Sequence, residues 1–391
     1  MAESMLKPFF VSSHWRGKRY LVSPFWDIGL AAGFSILFIA VVLLCVPSHV
    51  YNNTKSPLSN TLVLVFAFAA YFVNFPHFMS SYAIMYRGFF GKLKQYLAEN
   101  KLFYVRYVIA SIIVPTCLVG YVGYVLYLRD ASMLYWSVLA MFFFVGWHYA
   151  KQAFGVLMVL SSIRGVRFSK TQRNVLYYNV HIVWISAWLR AAKFIPGFGK
   201  EAFIFNDLTV YGQNIHLPSY LISASTMMMW FSAALVLLVL VYKWFKEHQR
   251  VPLAGVLGYV SVYLYLVVVG QAYVLGLAIP FFHSAQYLLF VYALKRGEMH
   301  QHRQRDGEQV YLAQKYAVKF FVVATVLAGI VSFETIPQHL NQWTAGTFLY
   351  LPYMTAIHVF INIHHYFIDN VIWKRDEKEV WESLFYNEQT L

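Results

Sequence analysis

Seven of the fourteen histidines in this chain, His77, His148, His181, His283, His358, His364 and His365, fall inside long apolar stretches, not in polar loops. A polar group in hydrocarbon costs free energy unless it is paired or liganded, so ionisable residues at membrane depth mark a functional site. The C-terminal stretch AIHVFINIHHYFIDNVIWK is the richest. Its residues His358, Asn362, His365 and Asp369 recur at spacings of four, three and four, which is one face of an α-helix. His364 points about 100° away from that face. A lone intramembrane histidine more often hydrogen-bonds a neighbouring helix than binds a metal. Seven at similar depth favour metal chemistry.

A neutral imidazole is a good ligand for iron, zinc or copper, and low-dielectric surroundings favour the neutral form. Several convergent imidazoles with few carboxylates point to a histidine-rich non-haem iron site, with zinc or copper as the next choices. His77, His148, His283, His358 and His365 are the first ligand candidates, and His181 and His364 are reserve ligands. Asp369, one turn beyond His365, is placed either to bind the metal or to accept the second ring N–H of a liganding histidine. Lys151 and Tyr287 join Asp369 as groups that could orient ligands or handle protons. Lys151 has a simpler alternative, which is to snorkel toward the aqueous interface. Pro76 directly precedes His77, and Pro280 lies three residues before His283. Each should loosen its helix beside a histidine.

These side chains must be positioned by membrane helices. The chain of 391 residues is 59% hydrophobic and 12% charged, too apolar to cover a soluble domain. At about 20 residues per crossing, ten spans are predicted, near 26–47, 61–86, 103–127, 132–161, 174–196, 219–244, 252–271, 274–294, 316–336 and 346–372. The seventh and eighth are separated only by the signals of Gly270, Gly276 and Pro280. Basic residues alternate with the spans. Lys7, Arg16, Lys18 and Arg19, then Arg87, Lys92, Lys94 and Lys101, then Arg164 to Arg173, Lys243 to Arg250 and Lys295 to Arg305 all fall on one side. By the positive-inside rule that side is cytoplasmic. The expectation is an all-α polytopic transmembrane bundle forming one domain over 1–391, with both termini cytoplasmic. The N-terminal arm 1–25, the loop 295–315 and the tail 374–391 would lie in the cytoplasm, and the membrane would be a bacterial inner membrane.

The formal charge of +14 is explained by topology and lipid headgroups, so nucleic acid is not an expected partner. The two cysteines, Cys45 and Cys117, lie in apolar segments without a CxxC partner, which supports neither a disulfide framework nor a thiolate metal site. No removable signal peptide is read at the N-terminus. His14, His49, His216, His248, His300, His302 and His339 lie in predicted loops or at helix ends and receive no role. Glu334, near the outer end of the ninth span, is read as structural.

The strings HHYFIDNVIWK, NFPHFMSSY and WHYAKQAFGV resemble signatures of a group of uncharacterised bacterial multi-pass membrane proteins, and that likeness covers most of the chain. More distantly, the intramembrane histidine pattern is similar to the Brp/Blh-type carotenoid dioxygenases, which use histidine-bound iron. The membrane fatty-acid desaturases and hydroxylases carry HxxxH and HxxHH boxes, and this chain departs from them with HxxxxxHH over His358 to His365.

The resulting expectation is a histidine-ligated iron oxygenase acting on a carotenoid, fatty acyl chain or other lipid that reaches the metal from the bilayer. Two rivals use the same residues. One is a proton- or ion-coupled transporter, which would need polar groups along a whole path, although the outer halves of the spans offer little beyond Arg190, Lys193 and Glu334. The other is a haem protein with two axial histidines. A scaffold without catalysis remains a fourth reading. No flavin, nicotinamide or iron–sulfur motif occurs, so no electron-donor partner is indicated.

Overall fold

The computed structural model describes residues 20–51, 56–129, 131–191, 202–205, 208–211, 218–268, 273–344 and 352–386. His14, His216, Lys193, Gly270 and the basic arm Lys7 to Arg19 lie outside the described residues.

The described residues form helices apart from connecting turns and one short antiparallel hairpin, β1 (Ala202–Phe205) with β2 (Leu208–Tyr211), paired Ala202 to Tyr211. The expectation of an all-helical fold contained no strand there. The principal helices are α1 (Pro24–Cys45), α2 (Pro57–Tyr86), α3 (Phe89–Glu99), α4 (Lys101–Leu128), α5 (Ala131–Ile163), α6 (Lys170–Ala191) and α7 (Ser219–Phe245). They continue as α8 (Leu253–Tyr263), α9 (Tyr273–Asp306), α10 (Glu308–Trp343), α11 (Pro352–Ile372) and the short α12 (Lys378–Leu384).

Among the described residues, α1, α2, α4, α5, α7 and α10 are long and apolar enough to cross a membrane, six helices where ten spans were expected. Helices also stand at the other four expected positions, as α6, α8, α9 and α11. α6 opens on the polar run KTQRN, and α11 carries three histidines, two asparagines and an aspartate. His364, His365 and Asp369 of α11 are buried inside the bundle, whereas Lys170, Thr171, Arg173 and Asn174 of α6 are exposed, and both sets lower the apolar character by which a span is recognised.

Local chemistry sets the irregularities. Helix α2 breaks at Val73, whose φ and ψ are −124° and −55°. Pro76 lacks an N–H and its ring crowds the carbonyl four residues back, so the break expected beside His77 is present. Pro280 lies within α9, which continues through it. Turns of π-helix interrupt α1 at Gly29–Gly33, α4 at Ile109–Ile113 and α10 at Val331–Thr335, and another follows α8 at Leu264–Val268. Such turns release backbone carbonyls for other partners and recur at functional sites.

The helices α2, α5, α9 and α11 pack together at the centre, and the chemistry sits between them. Gly329 lets α10 approach α2 at Phe75, two residues from His77, where any Cβ would collide with the phenylalanine. Leu157, Leu176, Val180 and Met229 join α5, α6 and α7 on one flank. Ile84, Tyr107, Leu294, Ile368 and Val380 join α2, α4, α9, α11 and α12 on the other. At one end of the bundle Lys92 of α3 pairs with Glu377 at 2.6 Å, both almost fully buried, and Tyr96 donates to the same carboxylate at 2.5 Å. This ties the chain just before α12 to α3.

Candidate metal centre

Each of the four central helices contributes a histidine to one buried cluster. α2 presents His77, α5 presents His148, α9 presents His283 and α11 presents His365, with Asp369 one turn further along α11. One donor atom each from His77, His148, His365 and Asp369 lies within 4.8 Å of the others, and all four residues are buried. Donors about 2.1 Å from a common ion can stand no more than about 4.2 Å apart. The four donors therefore stand close to the spacing that a single ion imposes.

Hydrogen bonding decides which nitrogens point inward. Ser81, one turn after His77 on α2, donates its hydroxyl proton to the Phe78 carbonyl at 2.6 Å. Having spent its proton, the same oxygen accepts from Nδ1–H of His365 at 2.6 Å. That assigns the tautomer, since a neutral imidazole carrying its proton on Nδ1 leaves a lone pair on Nε2. Nε2 of His365 is buried, has no hydrogen-bond partner and stands 3.3 Å from Oδ2 of Asp369. His77 also meets a serine on one ring edge. Its Nδ1 lies 3.0 Å from Ser284 Oγ, and its buried Nε2 has no partner. Unsatisfied buried polar atoms are uncommon, and two buried, unpartnered Nε2 atoms with the opposite ring edges held by serine match the way liganding histidines are oriented.

Nε2 of His148 lies 3.7 Å from Oδ2 of Asp369 and 3.0 Å from Nε2 of His283. Only one of two facing imidazole nitrogens can carry a proton in a hydrogen bond, and cis ligands of one ion also stand about 3 Å apart. His283 therefore flanks the group of four as a fifth nitrogen. Tyr366 stacks on His148 at 4.8 Å and Tyr149 packs on His283 at 4.1 Å, which fixes both rings. Tyr287 donates to Oδ1 of Asp369 at 3.0 Å, and its ring lies 4.4 Å from that of His77.

The remaining expected residues lie elsewhere. His358 is correctly placed on the face of His365, but seven residues separate them, a rise of about 10.5 Å. Its Nδ1 meets the Met354 carbonyl at 2.7 Å and its ring packs on Phe333. His181 meets the carbonyl of Tyr177 at 2.8 Å on α6 and stays apart from the group. His364 turns toward α2 and α4. Its Nδ1 meets the Tyr82 hydroxyl at 2.9 Å and its Nε2 the Ala110 carbonyl at 3.0 Å, in the π-helical turn of α4. Lys151 donates to Asn370, next to Asp369 in the chain, and rides over Trp147 at 4.1 Å. It packs against α11 instead of snorkelling. Gln286 reaches the Ala31 carbonyl and accepts from Gln152, stitching α9 to α1 and α5.

Ser81, Ser284, Tyr149 and Tyr366 were not singled out from the sequence. A serine in an apolar helix is common, and only the partner helix shows that these two hold imidazoles. Glu334 accepts from Gln338 at 3.0 Å, in keeping with a structural role.

No protein-family model, curated protein or solved structure matches this chain. The chemistry therefore rests on the geometry, which is a buried three-histidine, one-aspartate group that could hold a metal ion.

Proposed function

We propose that this protein is an integral membrane metalloenzyme whose His77, His148, His365 and Asp369 hold non-haem iron, with His283 at its edge, and that it oxidises a lipophilic substrate. The unpartnered Nε2 atoms of His77 and His365, aimed into the group while serines hold their Nδ1 atoms, carry this reading. Three neutral nitrogens and a carboxylate suit divalent iron and leave positions open. Zinc and copper are the competing occupants.

The ion would supply dioxygen chemistry. The chain supplies its setting. Ser81 and Ser284 orient two ligand rings, Tyr287 steadies the carboxylate, and Tyr149 and Tyr366 hold His283 and His148. Phe75, Phe78, Phe333 and Ile361 close one side of the group with apolar surface that excludes water. That closure favours a dead-end centre over a transport path, which would need polar groups there. The close approach of the four donors also leaves little room for a macrocycle between facing histidines.

Oxidative cleavage of a carbon–carbon double bond into two carbonyls consumes both atoms of dioxygen and needs no external reductant. An oxygenase of this kind suits a chain without a redox-cofactor motif, and the resemblance to carotenoid dioxygenases points to a carotenoid, with fatty acyl chains as the other substrate class. Ten spans with both termini on the cytoplasmic side of a bacterial inner membrane complete the proposal.

Elemental analysis with an optical spectrum, on protein in mild detergent, tests it against the His77→Ala/His365→Ala variant. Near-stoichiometric iron without a haem band, lost in the variant, is the expected result. Iron-free folded protein, a haem band, or equal metal in the variant overturns it.

A further inference from the structure

A second feature lies one aromatic layer from the metal centre. Between α1, the π-helical turn Leu264–Val268 and α9 is a cavity of about 190 Å³, walled by Gly29, Ala32 and Phe34, by Tyr265, and by Phe282 and Ala285. The π-helical turn Gly29–Gly33 widens α1 at this point. Gly29 has no Cβ, and the Phe34 ring occupies the space that one would need.

The lining is apolar in effect as well as in composition. Its two hydroxyls are mutually satisfied, since Ser35 donates to the Ala32 carbonyl at 2.8 Å and accepts from Tyr265 at 3.1 Å. A buried water needs two to four polar partners, whereas apolar cavities of about 150 Å³ stay dry and accept a benzene-sized guest. Whole-ligand pockets are larger, about 300 Å³ and upward. The space suits the end of a hydrocarbon molecule better than the whole of it.

Its position links that end to the chemistry. Phe282 lines the cavity while the next residue, His283, faces the donor group. The Tyr265 ring lies 6.2 Å from Tyr149, and Tyr149 packs 4.1 Å from His283. On the other side Phe281 and Phe282 meet Phe66 and Phe38 at 5.6 and 5.5 Å, so the cavity is rimmed by aromatic side chains of α1, α2 and α9.

We propose that this cavity binds the apolar end of the hydrocarbon substrate, with the rest of the molecule running past Tyr265 and Tyr149 to the four-donor group. The inference rests on the oxygenase reading for its purpose, but the binding can be measured without metal. Leu30, Phe34, Phe281, Phe282 and Ala285 of its wall are only half-buried, so the cavity reaches the outer face of the bundle. Its occupant is substrate rather than a bilayer tail, because its inner side adjoins the centre through the buried Tyr265 and Tyr149.

The test uses the full chain in detergent and a short alkane bearing a terminal diazirine. After irradiation, the peptides Gly29–Ser35 and Phe281–Ala285 are expected to be labelled saturably, with competition by the unlabelled alkane. Ala285→Leu fills the space and should lower that labelling about tenfold, the scale of a methylene-sized misfit in an apolar pocket. Phe282→Ala enlarges it and should admit a bulkier diazirine probe, which keeps the proposal testable if Ala285→Leu folds poorly. Labelling that never saturates, as for annular lipid, or that neither variant changes, overturns the proposal. Iron measured on the same samples separates the readings. Labelling retained in iron-free protein leaves the cavity assignment standing while the metal reading fails, and full iron without labelling does the reverse.

Discussion

Oδ2 of Asp369 stands 3.3 Å from Nε2 of His365, one helical turn earlier on the same helix, while Oδ1 accepts the Tyr287 hydroxyl at 3.0 Å. The carboxylate thus divides its two oxygens between a ligand position and a neighbouring helix. Asp369→Asn keeps the shape and removes the charge. Metal affinity is expected to fall by more than the roughly 10- to 100-fold typical of lost outer partners, as read by competition with a chelator.

The histidines should separate into two groups by metal content. His77→Ala and His365→Ala are each expected to strip most of the metal. His358→Ala and His181→Ala, whose rings turn to carbonyls of their own helices, should leave occupancy within about twofold of the parent protein, because their contacts involve none of the four donors. Elemental analysis of the four variants checks this, and metal loss in His358→Ala would contradict the geometry.

The serines offer a finer test. Ser81→Ala and Ser284→Ala remove the partners of Nδ1 on His365 and His77. Each should weaken metal binding about 10- to 100-fold without abolishing it. Ser81→Thr keeps the hydroxyl and should restore most of the loss, which a purely steric role would not do.

At the end of the bundle, Lys92 and Glu377 form a buried pair. Glu377→Ala leaves a buried ammonium without its carboxylate and should cost about 3–5 kcal/mol. A fall in the thermal unfolding midpoint, together with faster proteolysis around Lys378–Leu384, is the expected readout. Metal content per folded molecule should not change.

The same region predicts an acid response. Burial alone would raise the Glu298 carboxyl, but the charges of Lys295 and Arg87 outweigh it and hold the group below its ordinary value. A carboxylate with a lowered folded value contributes stability that is complete above the ordinary range of about 4.3. It is lost as pH falls through the lower folded value. Glu298→Gln should flatten that acid limb in a melting-temperature series, with little difference from the parent protein's slope near neutrality.

Much of this was legible in the residues. The apolar stretches announced membrane helices, and His77, His148, His283 and His365 could be placed at a common depth by counting from the basic helix ends. Pro76 announced the break in α2. The face shared by His358, Asn362, His365 and Asp369 was also readable, yet it misled about His358. A helix face is long, and two turns along it already exceed the span of one ion.

Position along each helix axis was thus a property of the sequence by itself, because rise per residue is constant. Rotation about that axis, and the approach of one helix to another, belonged to the tertiary structure. Only packing could bring Ser81 of α2 to Nδ1 of His365 and Ser284 of α9 to Nδ1 of His77, leaving both Nε2 atoms unpartnered and that of His365 facing Asp369. Those contacts join residues more than two hundred positions apart. Their geometry is set by close approaches such as Gly329 on Phe75, which no local pattern encodes.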